Sequence, residues 1–274
     1  MPELPEVETI CRSLAPHVRG RVIAGVEARV ARLRRPLPPE EDLRALTGRC
    51  INALERRAKY LIWHLDGGGA LIIHLGMSGR LCYHSRPHPA EPHTHIIFHF
   101  QGGGQLHFRD PRRFGSLDLA APGELAGLSI LRWLGVEPRS PAFTADYMRQ
   151  RLQATRRAVK TVIMDQRAVV GVGNIYANEA LFQAGIHPLR PGRSLSPEEA
   201  AALQSAIVSV LGKAVERGGT TLRDYLNADE EPGFFQLELA VYGREEEPCP
   251  RCGREIVRLR QEGRSSYLCE ACQK

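Results

Sequence analysis

The 274-residue sequence contains no apolar run approaching the ~20 residues that a membrane-spanning helix requires. Its apolar stretches are short ones such as Ala70–Ile73, so a membrane role is excluded. It also lacks the charged segment followed by an apolar segment that opens a secretory leader, which argues against export. Internal repeats and low-complexity tracts are absent as well. There is no acidic surplus: 37 Lys and Arg stand against 31 Asp and Glu, a net charge of +6, and this favours a polyanionic partner. The excess is patchy, concentrated at Arg32, Arg34 and Arg35, at Arg56, Arg57 and Lys59, and at Arg156, Arg157 and Lys160.

Seven cysteines in a chain without a leader need an explanation other than disulfides. Cys11, Cys50 and Cys82 lie among apolar residues and read as buried thiols of a reducing compartment. The other four form Cys249-Pro-Arg-Cys252 and, sixteen residues on, Cys269-Glu-Ala-Cys272. Two such pairs with no βαβ context match a structural zinc tetrahedron and not a redox motif. The residues between read as a hairpin, with strands over 255–260 and 264–268 and Gln261-Glu262-Gly263 at the turn. A hairpin this small has no core of its own, so one Zn2+ must hold it. It carries Arg251, Arg254, Arg258, Arg260 and Arg264, a composition suited to a phosphate backbone.

The pattern upstream predicts an α+β multidomain chain. Val7, Ile10, Cys11, Leu14 and Val18 recur at helical spacing and Gly20 stops them, which predicts an amphipathic helix from Leu4. Seven short β-rich runs follow, at 22–30, 50–54, 60–65, 70–75, 95–100, 105–108 and 116–119. With turn signals between them and no helices, they predict an antiparallel β-sandwich. A Gly- and Pro-rich stretch at 120–141 marks a boundary, and helices are expected at 147–155, 159–166 and 174–183. A further helix is predicted from its capping box, Ser196, Pro197 and Glu199, and it ends at Gly218. The long segment 219–235 reads as a functional loop.

Pro2 is a further candidate. Removal of the initiator Met ahead of a small residue exposes a secondary amine at a helix start, with Glu3 and Glu6 beside it to move protons. Such an amine titrates near ~8, attacks electrophilic carbon and forms a cationic iminium with an aldehyde. In isolation, however, Pro-Glu at a helix start is ordinary capping chemistry.

Six motifs in order give that amine a context: residues 1–9 (Met-Pro-Glu-Leu-Pro-Glu-Val-Glu-Thr), 56–61 (Arg-Arg-Ala-Lys-Tyr-Leu), 74–79 (His-Leu-Gly-Met-Ser-Gly), 110–115 (Asp-Pro-Arg-Arg-Phe-Gly), 171–176 (Gly-Val-Gly-Asn-Ile-Tyr) and the zinc hairpin. Together they resemble the formamidopyrimidine-DNA glycosylase family. The resemblance implies a catalytic helix and β-sandwich over 1–130, a helix-two-turn-helix domain over 131–240 with a lesion-capping loop at about 219–235, and a zinc finger over 241–274. DNA is expected in the cleft between the two larger parts. The implied activity is removal of oxidised purines opposite cytosine in duplex DNA, followed by strand cleavage, in a cytoplasmic, nucleoid-associated monomer that needs no membrane.

Residue by residue, the resemblance implies Pro2 as nucleophile at C1′, Glu3 as the acid of ribose opening, Lys59 near β-elimination and Arg264 at δ-elimination. Asn174 and Arg264 would grip the phosphates beside the lesion, and His74, His93, Arg157 and Lys160 would add phosphate contacts. A base expelled from the stack leaves a gap, which Met77 would fill while Arg112 contacts the orphaned cytosine and Phe114 wedges between pairs. Composition alone would place Met77 and Phe114 in the core. Two alternatives fit less well. A sister glycosylase of oxidised pyrimidines usually opens with Gly where Leu4 stands, and a damage binder without catalysis would lack Pro2, Glu3 or Lys59.

Overall fold

The computed structural model describes residues 2–220 and 238–274 and divides them into two compact units. One comprises 2–132 and takes back 218–220, and the other comprises 133–217 and 238–274, so the zinc hairpin shares a unit with the helices. Among the described residues no helix is long and apolar enough to cross a membrane.

The first unit opens on α1 (Leu4–Val18), whose Val7, Ile10, Cys11, Leu14 and Val18 are all buried on one face. The chain then forms β1 (Ile23–Ala28), α2 (Glu40–Arg44), β2 (Ile51–Arg57), β3 (Tyr60–Leu65), β4 (Ala70–His74), β5 (Arg80–His84), β6 (Thr94–Phe100), β7 (Gln105–Arg109) and β8 (Ser116–Ala120). Two four-stranded antiparallel sheets result, in the orders β1-β6-β7-β5 and β2-β3-β4-β8. Trp63 of one sheet and Phe98 of the other meet in the shared core with ring centroids 5.2 Å apart. Burial of side chains of this size contributes about 2–3 kcal/mol each.

Neither α2 nor β5 is predicted by the sequence pattern. Five residues are too few to show a helical period, and β5 buries Leu81 and Cys82 in succession where a strand would be expected to alternate. Of the three scattered cysteines, Cys11 and Cys82 are buried, but Cys50 is only half-buried. Burial pushes the Cys11 thiol up to about 11, so it stays protonated and inert.

The second unit holds α3 (Ala145–Gln153), α4 (Val159–Met164), α5 (Asn174–Ala184) and α6 (Pro197–Glu216). The α6 capping box forms as the sequence predicts: Glu199 N–H donates to Ser196 Oγ at 3.2 Å and Ser196 N–H to Glu199 Oε2 at 2.8 Å. The hairpin of β9 (Val257–Gln261) and β10 (Arg264–Leu268) turns on two residues, Glu262 at φ 48° and Gly263 at φ 76°. Positive φ at both positions is the backbone of a type I′ turn, whose twist matches the strands it joins.

Candidate functional site

The start of α1 is buried and polar at once. Glu3 is the N-cap, Pro5 sits in the first turn, and Glu3 N–H donates to Glu6 Oε2 at 2.7 Å. Pro2, Glu3 and Glu6 are all buried, so the carboxyl chemistry beside Pro2 is shielded from water. Glu6 uses its other oxygen on Thr220, accepting the backbone N–H at 2.9 Å and the hydroxyl at 3.1 Å. The segment that re-enters the first unit is thereby tied to the helix N-terminus. A Cβ on Gly219, which has φ +79°, would lie 2.8 Å from Glu6 Oε1, so only glycine fits there. The rest of the capping loop predicted at 219–235, residues 221–235, lies outside the described residues.

Lys59 occupies the two-residue turn between β2 and β3, where Arg57 pairs with Tyr60. It is buried, and its neighbour Ala58 has φ +54°, a left-handed backbone that costs a non-glycine residue about 1–3 kcal/mol. A clamp holds this turn: Arg56 Nε donates to Glu8 Oε2 at 2.7 Å and its Nη1 to the Ala58 carbonyl at 3.0 Å. Burial by itself would raise the Glu8 carboxyl, but Arg56 and Arg12 outweigh it and hold the group below the usual carboxylate range.

His74 ends β4 opposite Tyr60. Burial, reinforced by the charges of Lys59, Arg34 and Arg35, pushes it down to about 4, so its ring is neutral at pH 7. Its Nδ1 accepts Gly76 N–H at 2.9 Å, which leaves the ring proton on Nε2 and makes His74 an uncharged donor.

Met77, Arg112 and Phe114 are exposed, Met77 at 37% and Phe114 at 43%, against the core position that composition alone favours. The Arg112 guanidinium lies 5.0 Å from the centroid of the Phe114 ring. Gly76 permits this approach of two loops, because a Cβ there would stand 2.3 Å from the Phe114 carbonyl carbon. His93 is exposed, with φ +66°.

In the second unit Arg157, Lys160 and Arg264 line one cavity of about 430 Å3, joined by Arg167, with Asp165 and Glu262 on its wall. Arg157 is exposed and paired with Asp165 at 2.9 Å. Lys160 is 2% exposed, and its ammonium donates to Ser265 O at 2.9 Å and Ser266 Oγ at 2.7 Å. Asn174 Nδ2 donates to the same Ser265 carbonyl at 3.0 Å, and its Oδ1 is buried with no hydrogen-bond partner among the described residues. Tyr267 N–H donates to Asn178 at 2.8 Å. Lys160, Asn174 and Asn178 thus dock the hairpin that presents Arg264. The hairpin arginines Arg251, Arg254, Arg258, Arg260 and Arg264 are all exposed; Arg251 stacks 4.4 Å from the Phe182 ring, Arg258 pairs with Glu245 at 3.1 Å, and Arg264 sits beside the turn.

The sulfurs of Cys249, Cys252, Cys269 and Cys272 all lie within 4.8 Å of one another, with Cys252 to Cys269 at 3.5 Å and Cys249 to Cys272 at 3.9 Å. A tetrahedron with Zn–S bonds of about 2.3 Å has S–S edges of about 3.8 Å. The donor set and its spacing therefore fit zinc.

Three family models match in order: the formamidopyrimidine-DNA glycosylase N-terminal domain at residues 1–117, the formamidopyrimidine-DNA glycosylase H2TH domain at 134–225, and a zinc finger found in FPG and IleRS at 246–274. The chain belongs to the formamidopyrimidine-DNA glycosylase family. It is 47% identical over 275 residues to the formamidopyrimidine-DNA glycosylase of Bacillus licheniformis, covering all of both chains. With that of Bacillus subtilis it shares 44% over 274 residues, 100% of this chain and 99% of the relative. The solved MutM (Fpg) protein of Thermus thermophilus superposes with a TM-score of 0.88 at 42% identity, covering 99% of this chain and 98% of that one. A Lactococcus lactis FPG variant in complex with Fapy-dG-containing DNA superposes with a TM-score of 0.93 at 35% identity, covering 100% of each. As in this family's zinc finger, the four cysteines hold one structural Zn2+.

Several residues that organise this glycosylase are not marked by the sequence reading. Glu8 and Asp110 lie inside quoted motifs, yet nothing in the motifs marks the partner that each carboxylate gains from far away in sequence, Arg56 for Glu8 and Ser78 for Asp110. Arg56 registers only as part of a basic run, and its partnership with Glu8 spans 48 positions. The Glu6 contact to Thr220 spans 214.

Proposed function

We propose that the protein excises oxidised purines, 8-oxoguanine and formamidopyrimidines, from duplex DNA with the amine of Pro2 and then cleaves the strand by β,δ-elimination. Family membership makes it a DNA glycosylase and AP lyase. The observation that carries the finer reading is the buried polar start of α1, where Pro2 adjoins Glu3 and where Glu6 draws Thr220 in.

The Pro2 nitrogen attacks C1′, forming an N–C1′ bond as the glycosidic bond breaks and the base leaves with a proton. Glu3 protonates the ring oxygen, the sugar opens, and the nitrogen lone pair forms the iminium. Loss of a C2′ proton then expels the 3′ phosphate, with Lys59 beside this step, and a second elimination aided by Arg264 expels the 5′ phosphate. Water hydrolyses the remaining iminium and returns the Pro2 amine.

Met77, Arg112 and Phe114 occupy the space of the expelled base, offsetting an unstacking cost of a few kcal/mol, and Arg112 reads the cytosine left behind. His74, as a neutral donor, joins His93, Arg157 and Asn174 on the phosphates. Lys160 adds its charge to the cavity that Arg264 lines and acts through the hairpin it holds. The polyanionic substrate places the protein with the nucleoid, and one chain carries every residue named.

Borohydride reduction tests this reading. With duplex containing 8-oxoguanine opposite cytosine, the protein with Pro2 as its N-terminus should be trapped as a covalent adduct, and protein that retains Met1, in which the Pro2 nitrogen is an amide and no longer a nucleophile, should not. Equal trapping of both proteins overturns the Pro2 assignment.

A further inference from the structure

Asp110 is fully buried and faces only donors. Its Oδ1 accepts Ser78 Oγ–H at 2.7 Å and Arg112 N–H at 3.3 Å, and its Oδ2 accepts Gly115 N–H at 2.7 Å. Its backbone is equally engaged: the N–H donates to the His93 carbonyl at 3.0 Å, and the carbonyl accepts Arg113 N–H at 3.1 Å and His95 Nε2–H at 2.9 Å. Three loops therefore converge on one residue: the loop of Met77 through Ser78, the loop of His93, and the loop of Arg112 and Phe114 through both of its ends.

Two of these loops are held in a backbone conformation that does not maintain itself. Arg113 has φ +53° and His93 φ +66°, left-handed values that cost non-glycine residues about 1–3 kcal/mol apiece. Gly76, at φ +67°, abuts the Phe114 backbone. The exposed side chains at the loop tips are two large apolar groups and an arginine, which solvation alone would not keep in a common arrangement.

We propose that Asp110 is the positioning residue that sets Met77, Arg112 and Phe114 as one rigid insertion unit, and thereby determines excision from duplex and preference for the opposite base. Charge-assisted hydrogen bonds from three donors fix both ends of the 110–115 turn against the Met77 loop. Insertion into a base stack requires three side chains to arrive together, so loosening this carboxylate lowers the fraction of molecules competent to insert. Asp110 itself touches no DNA. The inference rests on the role proposed above for the three inserted side chains.

The variant Asp110→Asn is uncharged and has a single acceptor oxygen, so either the Gly115 N–H or the Ser78 and Arg112 side of the turn faces an NH2 group in place of a carboxylate oxygen. Excision of 8-oxoguanine from duplex should fall at least 10-fold in kcat/KM, and the ratio of activity opposite cytosine to that opposite adenine should shrink toward one. Cleavage at an abasic site in single-stranded DNA, where no partner base or stack remains, should stay within about 2-fold of wild type. Ser78→Ala, which removes one arm without a donor clash, should move the same two readouts in the same direction by less. If Asp110→Asn does not fold, the Ser78→Ala result decides. Duplex and single-stranded activities that fall in parallel, or an opposite-base ratio unchanged in an impaired enzyme, overturn the proposal. Wild-type protein inactive on lesion duplex would instead defeat the functional reading beneath it.

Discussion

Arg56 joins Glu8, 48 positions away on α1, through a 2.7 Å ion pair, and the same guanidinium caps the carbonyl of Ala58 next to Lys59. One side chain thus ties the helix that begins just after Pro2 and Glu3 to the turn that presents Lys59. Both partners are largely shielded, 13% and 22% exposed, so loss of either leaves a poorly solvated charge. Glu8→Gln should cost about 1–3 kcal/mol and slow strand cleavage more than base release, since the Lys59 turn is what loosens. Thermal unfolding and separate assays of the two steps check this. Equal slowing of both steps would count against a specific effect on Lys59.

Gly219→Ala should damage the junction of Glu6 with Thr220. The added carbon meets Glu6 Oε1 at 2.8 Å on a backbone at φ +79°, for a cost of about 1–3 kcal/mol. The stability loss should be accompanied by weaker borohydride trapping, because Glu6 also accepts the Glu3 N–H. Trapping at the wild-type level in a destabilised variant would separate the two effects and remove Glu6 from the argument.

Acid should weaken the first unit through two histidines. Burial holds His74 and His107 down to about 4; Lys59, Arg34 and Arg35 add to the effect at His74, and His84, His88 and His99 add to it at His107. An unfolded histidine titrates near ~6.5, so between that pH and about 4 the unfolded chain takes up protons that the folded one refuses. Stability is complete above the upper limit and falls as pH drops through this window. Melting temperature measured across it should decline, and His107→Gln should flatten the decline. A melting temperature independent of pH in that range would contradict the assignment.

Removal of zinc by a chelator should abolish tight duplex binding, because the β9–β10 hairpin that carries Arg264 loses its staple. Lys160 and Asn174 would then hold Ser265 of a hairpin whose far end is free. Binding measured by fluorescence anisotropy should return when Zn2+ is restored. Persistence of binding in protein shown to be metal-free would exclude the hairpin from the interface.

The sequence by itself determined what depends on near neighbours. The α1 stripe, the Ser196 capping box of α6, the Arg264–Leu268 strand and each of the two Cys-x-x-Cys pairs are set by residues within a few positions of one another, where periodicity, capping and ligand spacing dominate. Its motifs also contain Pro2, Glu3, Lys59 and Arg264. Only the tertiary structure decided which side chains are spent internally and which are left to act. Met77 and Phe114 look like core residues by type and are exposed, whereas Lys160 looks like a surface cation and is buried against Ser265 and Ser266. Glu8, Asp110 and Glu6 each gain a partner from a chain segment 32 to 214 positions away. The physical reason is common to all of them: the cost of burying a charge or exposing an apolar group depends on what the folded chain brings beside it, and that is not a property of local sequence.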